Sequence, residues 1–287
     1  MKVLITGGTG TLGQELTRQL QRNNHSVYIL SRDENKQKQM ALDFTRLKFI
    51  VADITNRRDL DEVSRIKEYD FDHVFHCAAM KHIEVCEKWV NKCVETNFHG
   101  TVNVYQYFGW KARNFTFFTT DKAVAPINAY GHAKALSEHY LADKKNVNMF
   151  RWGNIIGSTG SFIPYLTECA LRGERVNITN PNMTRFWVYI DDAAKFVMKN
   201  WQRPFIGAIY PEMKACKLID VVRAIEMLTK KTVPKFTIDR DGEKTHECMY
   251  ADCNGPKIYS HENVINAQQM KEYLEKWYRK YLKNRKN

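Results

Sequence analysis

With 287 residues the chain can hold one large domain or two closely joined ones, and a hydrophobic share of 44% sets disorder aside. The formal net charge of +12 would suit a polyanion, but the basic residues are scattered apart from a cluster between Arg279 and Lys286. No nucleic-acid motif accompanies them, so the expectation is a solvated basic surface without a nucleic-acid partner.

Seven cysteines at irregular spacings fit reduced thiols and a cytoplasmic setting better than a disulfide framework. Met1-Lys2-Val3-Leu4-Ile5 runs into a short strand and glycines, with neither a signal-peptide core nor a membrane span. Asn114, Asn177 and Asn182 open glycosylation triplets that mean nothing without secretion.

Val3–Thr6 reads as the first strand, and Gly7-Gly8-Thr9-Gly10-Thr11-Leu12-Gly13 as a turn into a helix reaching about Gln21. Glycines at this spacing allow a tight turn, backbone approach to a pyrophosphate and close helix packing, while the helix start offers its N–H groups to phosphates. Ser26–Leu30 is the second strand. The residue just past it reads the ribose, and Ser31-Arg32 there suits a 2′-phosphate, so NADP is expected. Asp33 keeps the alternative open, because a shift of one residue would favour NAD.

Leu47–Ala52 is a third strand ending at Asp53-Ile54, where a carboxylate could accept from the adenine amino group. His73–His76 is a fourth, and the small residues of Cys77-Ala78-Ala79-Met80-Lys81 let the backbone lie along a cofactor. Asn97 lies on the following helical pattern, where bridging elements or contacting the site are both open to it. Phe115–Thr119 is a fifth strand, Ala129–Ala142 a helix, and Asn148–Trp152 a sixth strand. Alternating strands and helices of this length predict an α/β fold with a doubly wound parallel sheet.

The fifth strand ends in Thr119-Thr120-Asp121-Lys122, followed by Tyr130 and Lys134. A strand end carrying a hydroxyl, a carboxylate and an amine is where an open α/β sheet places its chemistry. The Tyr-x-x-x-Lys spacing puts both side chains on one helical face, where an ammonium beside a phenol would stabilise the phenolate for acid–base work. A strand-end ion pair is the plain alternative for Asp121 and Lys122.

After Trp152 the rhythm breaks into a glycine- and serine-rich loop, Gly153 to Ser161, then a helix Phe162–Arg172. Arg185–Ile190 precedes a helix opening on Asp191-Asp192; a polar stretch runs from Asp239 to Glu247, and Ala267–Leu282 is a charged amphipathic helix. The division expected is a dinucleotide-binding domain over 1–152 and a mainly substrate-binding lobe over 153–287, with segments such as 185–210 returning to the first. His246-Glu247-Cys248 lacks the second histidine of a zinc helix and Cys248 with Cys253 has no partner pair, so no metal is expected.

Taken together, Gly7-Gly8-Thr9-Gly10, Ser31-Arg32-Asp33-Glu34, Ala78 to His82, Thr119 to Tyr130, Arg151 to Asn154, Met183 to Trp187 and Gly242-Glu243-Lys244-x-His246-Glu247 resemble the extended short-chain dehydrogenase/reductase family. Within it, the resemblance is to UDP-N-acetylglucosamine 4,6-dehydratases, and among these to the soluble, configuration-inverting type that opens pseudaminic acid biosynthesis. It spans residues 1 to about 250. Asp241 departs from it, standing where relatives usually carry proline.

The resemblance implies NADP regenerated in each cycle, UDP-N-acetylglucosamine as substrate, and a self-associating chain. Tyr130 would take the 4-OH proton, Thr120 would bond the developing ketone, and Asp121 and Lys122 would share the loss of water across C5 and C6. Lys81, Asn154, Arg185, Arg240 and Glu243 match positions that hold the sugar nucleotide. Inverting relatives carry tyrosine where Tyr130 stands and the membrane-anchored retaining ones methionine, so inversion at C5 is the expectation. A UDP-sugar 4-epimerase and a non-catalytic nucleotide-binding regulator are the alternatives.

Overall fold

In the computed structural model the described residues are 1–202, 207–233, 235–237, 242–250 and 256–286. They form two compact units, one of the described residues within 1–151, 191–211 and 250–256, the other of those within 152–190, 212–249 and 257–287.

The first unit is built on seven strands: β1 (Lys2–Thr6), β2 (Ser26–Ser31), β3 (Leu47–Val51), β4 (His73–His76), β5 (Asn114–Thr120), β6 (Val147–Trp152) and β7 (Ala208–Ile209). Their order is β7-β6-β5-β4-β1-β2-β3, a doubly wound, Rossmann-like parallel sheet. The sequence reading found six of these strands. β7 escaped it because two residues carry no alternation.

The central strands are buried on both faces, as a sheet covered by helices requires. All seven residues of β5 and all six of β6 are buried. At the edge, β3 buries only Ile50 fully. Several polar side chains inside the sheet bond to one another or to backbone. Thr6 Oγ1 meets His76 Nδ1 at 2.7 Å, and Asn148 Nδ2 donates to the Trp201 carbonyl at 2.7 Å. Between β4 and β5 the helical run Val90–Gly109 contains two π-helical stretches, Glu95–His99 and Tyr105–Gly109; such bulges gather at functional sites.

The second unit has a mixed sheet in the order Val264–Ile265, Lys214–Lys217, Thr184–Tyr189, Asn154–Ile156. Lys214–Lys217 runs antiparallel to Thr184–Tyr189, and Asn154–Ile156 parallel to it. Helices Phe162–Arg172, Leu218–Thr229 and Ala267–Lys286 supply its core with Leu166, Val221, Ile225, Met270 and Leu274 around Trp187.

Candidate active site

Because the strands of the large sheet are parallel, their carboxyl ends share one edge, and the sequence motifs of the first unit gather there. Gly7, just past β1, is left-handed at φ +65°, and a Cβ on it would lie 2.7 Å from the Ala78 Cα. The turn after β1 therefore packs backbone to backbone on the stretch after β4. A Cβ on Gly13 would fall 2.5 Å from the Gly8 Cα, which seats the helix Thr11–Arg22 directly on the turn.

At Gly10, the N-cap, a Cβ would meet only the Gly7 carbonyl, at 3.2 Å. No side chain caps this helix, and its first turn carries no acid. An uncapped helix start without a carboxylate, reached over bare backbone, suits an anion. Residues Gly7 to Gly13 thus fit the pyrophosphate of a dinucleotide.

β2 ends at Ser31, whose buried hydroxyl accepts from Gln37 Nε2 at 3.1 Å. Arg32 is the exposed group, 3.3 Å from the Asp53 carboxylate. Asp33 has turned away to cap the helix Glu34–Asp43, accepting from the Lys36 N–H at 3.0 Å. Asp53 Oδ1 accepts from the Thr55 amide and hydroxyl at 2.9 and 2.8 Å. Burial pushes its pKa up, but these bonds and Arg32 outweigh burial and hold it below the usual carboxylate range.

Asn97 takes the bridging option. Its Oδ1 accepts from the Met80 N–H at 2.8 Å and its Nδ2 donates to the Met80 carbonyl at 2.9 Å. Its polar atoms are spent on fixing the loop after β4, so it positions Ala78, Ala79 and exposed Lys81 rather than reaching a ligand itself.

The end of β5 brings Thr120, Asp121, Lys122 and Tyr130 together. Asp121 is fully buried, and Lys122 Nζ lies 3.0 Å from its Oδ1. Thr120 Oγ1 donates to the same oxygen at 2.9 Å and accepts from the Lys122 N–H at 3.3 Å. The helix Ala129–Leu141 starts at Asn128, whose side chain accepts from the Gly131 N–H at 2.7 Å. Gly131 lets that helix sit on the strand end, since a Cβ there would fall 2.3 Å from the Lys122 carbonyl oxygen. Sequence reasoning passed over Gly131; a glycine just after the tyrosine, in the first helical turn, was the available signal.

One sequence expectation is corrected. Lys134 shares the helix face with Tyr130, but its ammonium donates to the Phe118 carbonyl at 2.8 Å and lies 4.4 Å from the centroid of the Phe117 ring. Burial pulls its pKa down to about 8. Burial also drives the Tyr130 phenol up to about 12, against which Lys122 is the cation that lowers it. Desolvation therefore outweighs the charge that was to make a phenolate, and the relevant charge is Lys122.

In the second unit, Asn154 opens its strand partly buried. Buried Arg185 lies 3.4 Å from Glu243 and 3.9 Å from Glu247, and donates to the Thr184 carbonyl at 2.9 Å. Two of the five residues expected to hold a sugar nucleotide, Arg185 and Glu243, are thus paired with each other. Arg240 lies outside the described residues. Among the described residues no three His, Cys, Asp or Glu side chains are grouped to hold a metal ion, and no helix is long and apolar enough to cross a membrane.

Known proteins resemble this chain in sequence and fold. The sequence profile of the polysaccharide biosynthesis protein family matches residues 3–269. A UDP-N-acetylglucosamine 4,6-dehydratase (inverting) of Campylobacter jejuni serotype O:2 is 32% identical, over 96% of this chain and 84% of that protein. A UDP-glucose 4-epimerase of Rickettsia typhi is also 32% identical, over 86% of this chain and 76% of its own length. The solved UDP-glucose 4-epimerase of Thermus thermophilus, in complex with NAD, superposes with a TM-score of 0.75 at 19% identity, over 95% of this chain and 93% of that one. The chain therefore belongs to the polysaccharide biosynthesis protein family, on the Rossmann-like fold of the extended short-chain dehydrogenases/reductases, with nucleotide-sugar dehydratases and epimerases as its relatives.

Proposed function

We propose that the chain is an NADP-dependent UDP-N-acetylglucosamine 4,6-dehydratase that inverts C5. The observation that carries this reading is the buried Asp121–Lys122 pair beside Thr120 and Tyr130. Epimerisation at C4 needs only the tyrosine and a hydride carrier, whereas loss of water also needs a base at C5 and an acid at the C6 oxygen. A buried amine and carboxyl sharing one hydrogen bond supply both.

NADP, held by Gly7 to Gly13, Arg32, Asp53, Ile54 and the Ala78-Ala79 backbone, would accept a hydride from C4 and return it to C6. Arg32 as the exposed residue past β2, with Asp33 committed to its helix, supports NADP over NAD. Tyr130 takes the 4-OH proton as a phenolate, the form that Lys122 favours and burial opposes, and Thr120 turns its hydroxyl from Asp121 to the ketone oxygen that forms. The ketone acidifies C5–H. Burial disfavours both charges of the Asp121–Lys122 pair, and in the neutral form Lys122 is an amine and Asp121 an acid.

Lys122 then removes the C5 proton while Asp121 protonates the departing 6-OH, leaving ammonium and carboxylate facing each other; as hydride returns to C6, a solvent-derived proton adds to C5 on the face opposite Lys122. Lys134 anchors the helix that carries Tyr130. Lys81, Asn154, Arg185, Arg240 and Glu243 are assigned to the UDP-sugar, the arginines to its diphosphate. The chain is taken to act as a homo-oligomer in the cytoplasm.

Incubation with UDP-N-acetylglucosamine and NADP in deuterium oxide tests the reading. The expected product has lost the mass of water, carries deuterium at C5 and shows L-arabino proton couplings. A D-xylo product at the earliest times would remove inversion and keep dehydration. A mass-neutral product would mean the epimerase reading, which the similarity to UDP-glucose 4-epimerases favours.

A further inference from the structure

Glu138 lies one helical turn beyond Lys134 and has no part in the mechanism above. One of its carboxylate oxygens accepts from the Thr119 hydroxyl, and the other lies 2.8 Å from the Arg151 guanidinium. Arg151 is buried near the end of β6. It donates to the Tyr250 carbonyl at 2.5 Å, and its guanidinium lies 4.8 Å from the centroid of the Tyr250 ring. Lys134, meanwhile, donates to Phe118. Two side chains of one helix thus fasten to consecutive residues of β5, Phe118 and Thr119, immediately ahead of Thr120-Asp121-Lys122.

We propose that Glu138 is a positioning residue: braced by Arg151, it clamps the Tyr130 helix to the strand end at Thr119 and supplies the counter-charge of Lys134. What the clamp serves rests on the dehydratase reading; the clamp itself does not. The titratable groups facing Lys134 are Glu138 on its own helix, Cys77 after β4, Cys93 on the helix Val90–Val94, and His76 of β4. Glu138 leads those that favour the ammonium, against burial, which holds Lys134 at about 8. The ammonium is present below that pH and lost above it. Without Glu138 it is lost at a lower pH.

The test is lysine-13Cε NMR titration of the full chain, with the Lys134 signal identified by its disappearance in Lys134→Arg. In Glu138→Gln the Lys134 midpoint should fall by about one pH unit or more, the scale of a lost neighbouring charge. The alkaline limb of kcat should move the same way, with KM for UDP-N-acetylglucosamine near wild type. An unmoved midpoint in folded Glu138→Gln overturns the counter-charge.

Thr119→Val removes one bond and keeps both charges, so it decides the clamp even where Glu138→Gln does not fold. It should lower kcat several-fold while KM and the Lys134 midpoint stay put, and a wild-type kcat overturns the clamp. Should the chain form no dehydration product, Lys134 midpoints still decide the counter-charge, and the clamp is read from whether Thr119→Val perturbs the Tyr130 and Gly131 amide resonances. The failure of either idea is therefore visible apart from the failure of the dehydratase reading.

Discussion

Two strand ends on the same edge of the large sheet handle charge in opposite ways. At the end of β5 the Asp121 and Lys122 side chains are 0% and 11% exposed and lie 3.0 Å apart. Past β2, Arg32 is 58% exposed and 3.3 Å from Asp53. Interaction energy scales inversely with the effective dielectric, so the first pair is bound tightly to its surroundings and the second is screened by water. An exposed pair costs little to open for a ligand's phosphate. A buried one can trade a proton internally and cannot be solvated apart. On the proposed function, the edge thus separates chemistry, at β5, from recognition, at β2.

The sharpest way to break this division is at Tyr130. Tyr130→Phe keeps the ring and removes the hydroxyl, so turnover should fall roughly a hundredfold or more, a usual general acid–base contribution, with thermal stability near wild type. Near-normal kcat would move the 4-OH proton to another group and take the chemistry away from the β5 end.

At the recognition end the effect should be smaller and confined to one nucleotide. Arg32→Ala is expected to weaken NADP binding by about 2 kcal/mol, a charged hydrogen bond's worth, and to leave NAD affinity almost unchanged in a fluorescence titration. Equal losses for both nucleotides would detach Arg32 from the 2′-phosphate.

The smallest change belongs to the neighbouring residue. Asp33 caps a helix, so Asp33→Ala should lower the melting temperature slightly and shift neither nucleotide's affinity. A selective loss of NAD binding would return the ribose to Asp33 and reverse the cofactor preference.

How far these ends were legible in the sequence follows from the range of the interactions that make them. The strand–glycine–helix opening and the strand rhythm are local patterns, and they predicted the sheet and the glycine turn correctly. The choice between Arg32 and Asp33 hung on one residue of strand length, and only the bond from the Lys36 N–H to Asp33 shows which way each side chain turns. Helical spacing placed Tyr130 and Lys134 on one face. It could not reveal that the Phe118 carbonyl would take the ammonium, or that burial would outweigh it. Arg151 and Tyr250 are 99 positions apart, so nothing near either announces their bond. The Arg185–Glu243 pairing, 58 positions apart, is hidden for the same reason.

That separation bears on how the chain is made. β6 gains its outer neighbour only when residues 208–209 exist, and the Arg151 guanidinium gains its carbonyl partner only with residue 250. A nascent chain halted after β6 would hold Glu138, Arg151 and the motif-bearing strand ends, yet carry a buried cation short of an acceptor and an open sheet edge, the combination that favours misassociation during synthesis. The first 151 residues are therefore expected to fail as a separately expressed nucleotide-binding fragment, and the folding of the catalytic edge to be among the last events of translation rather than the first.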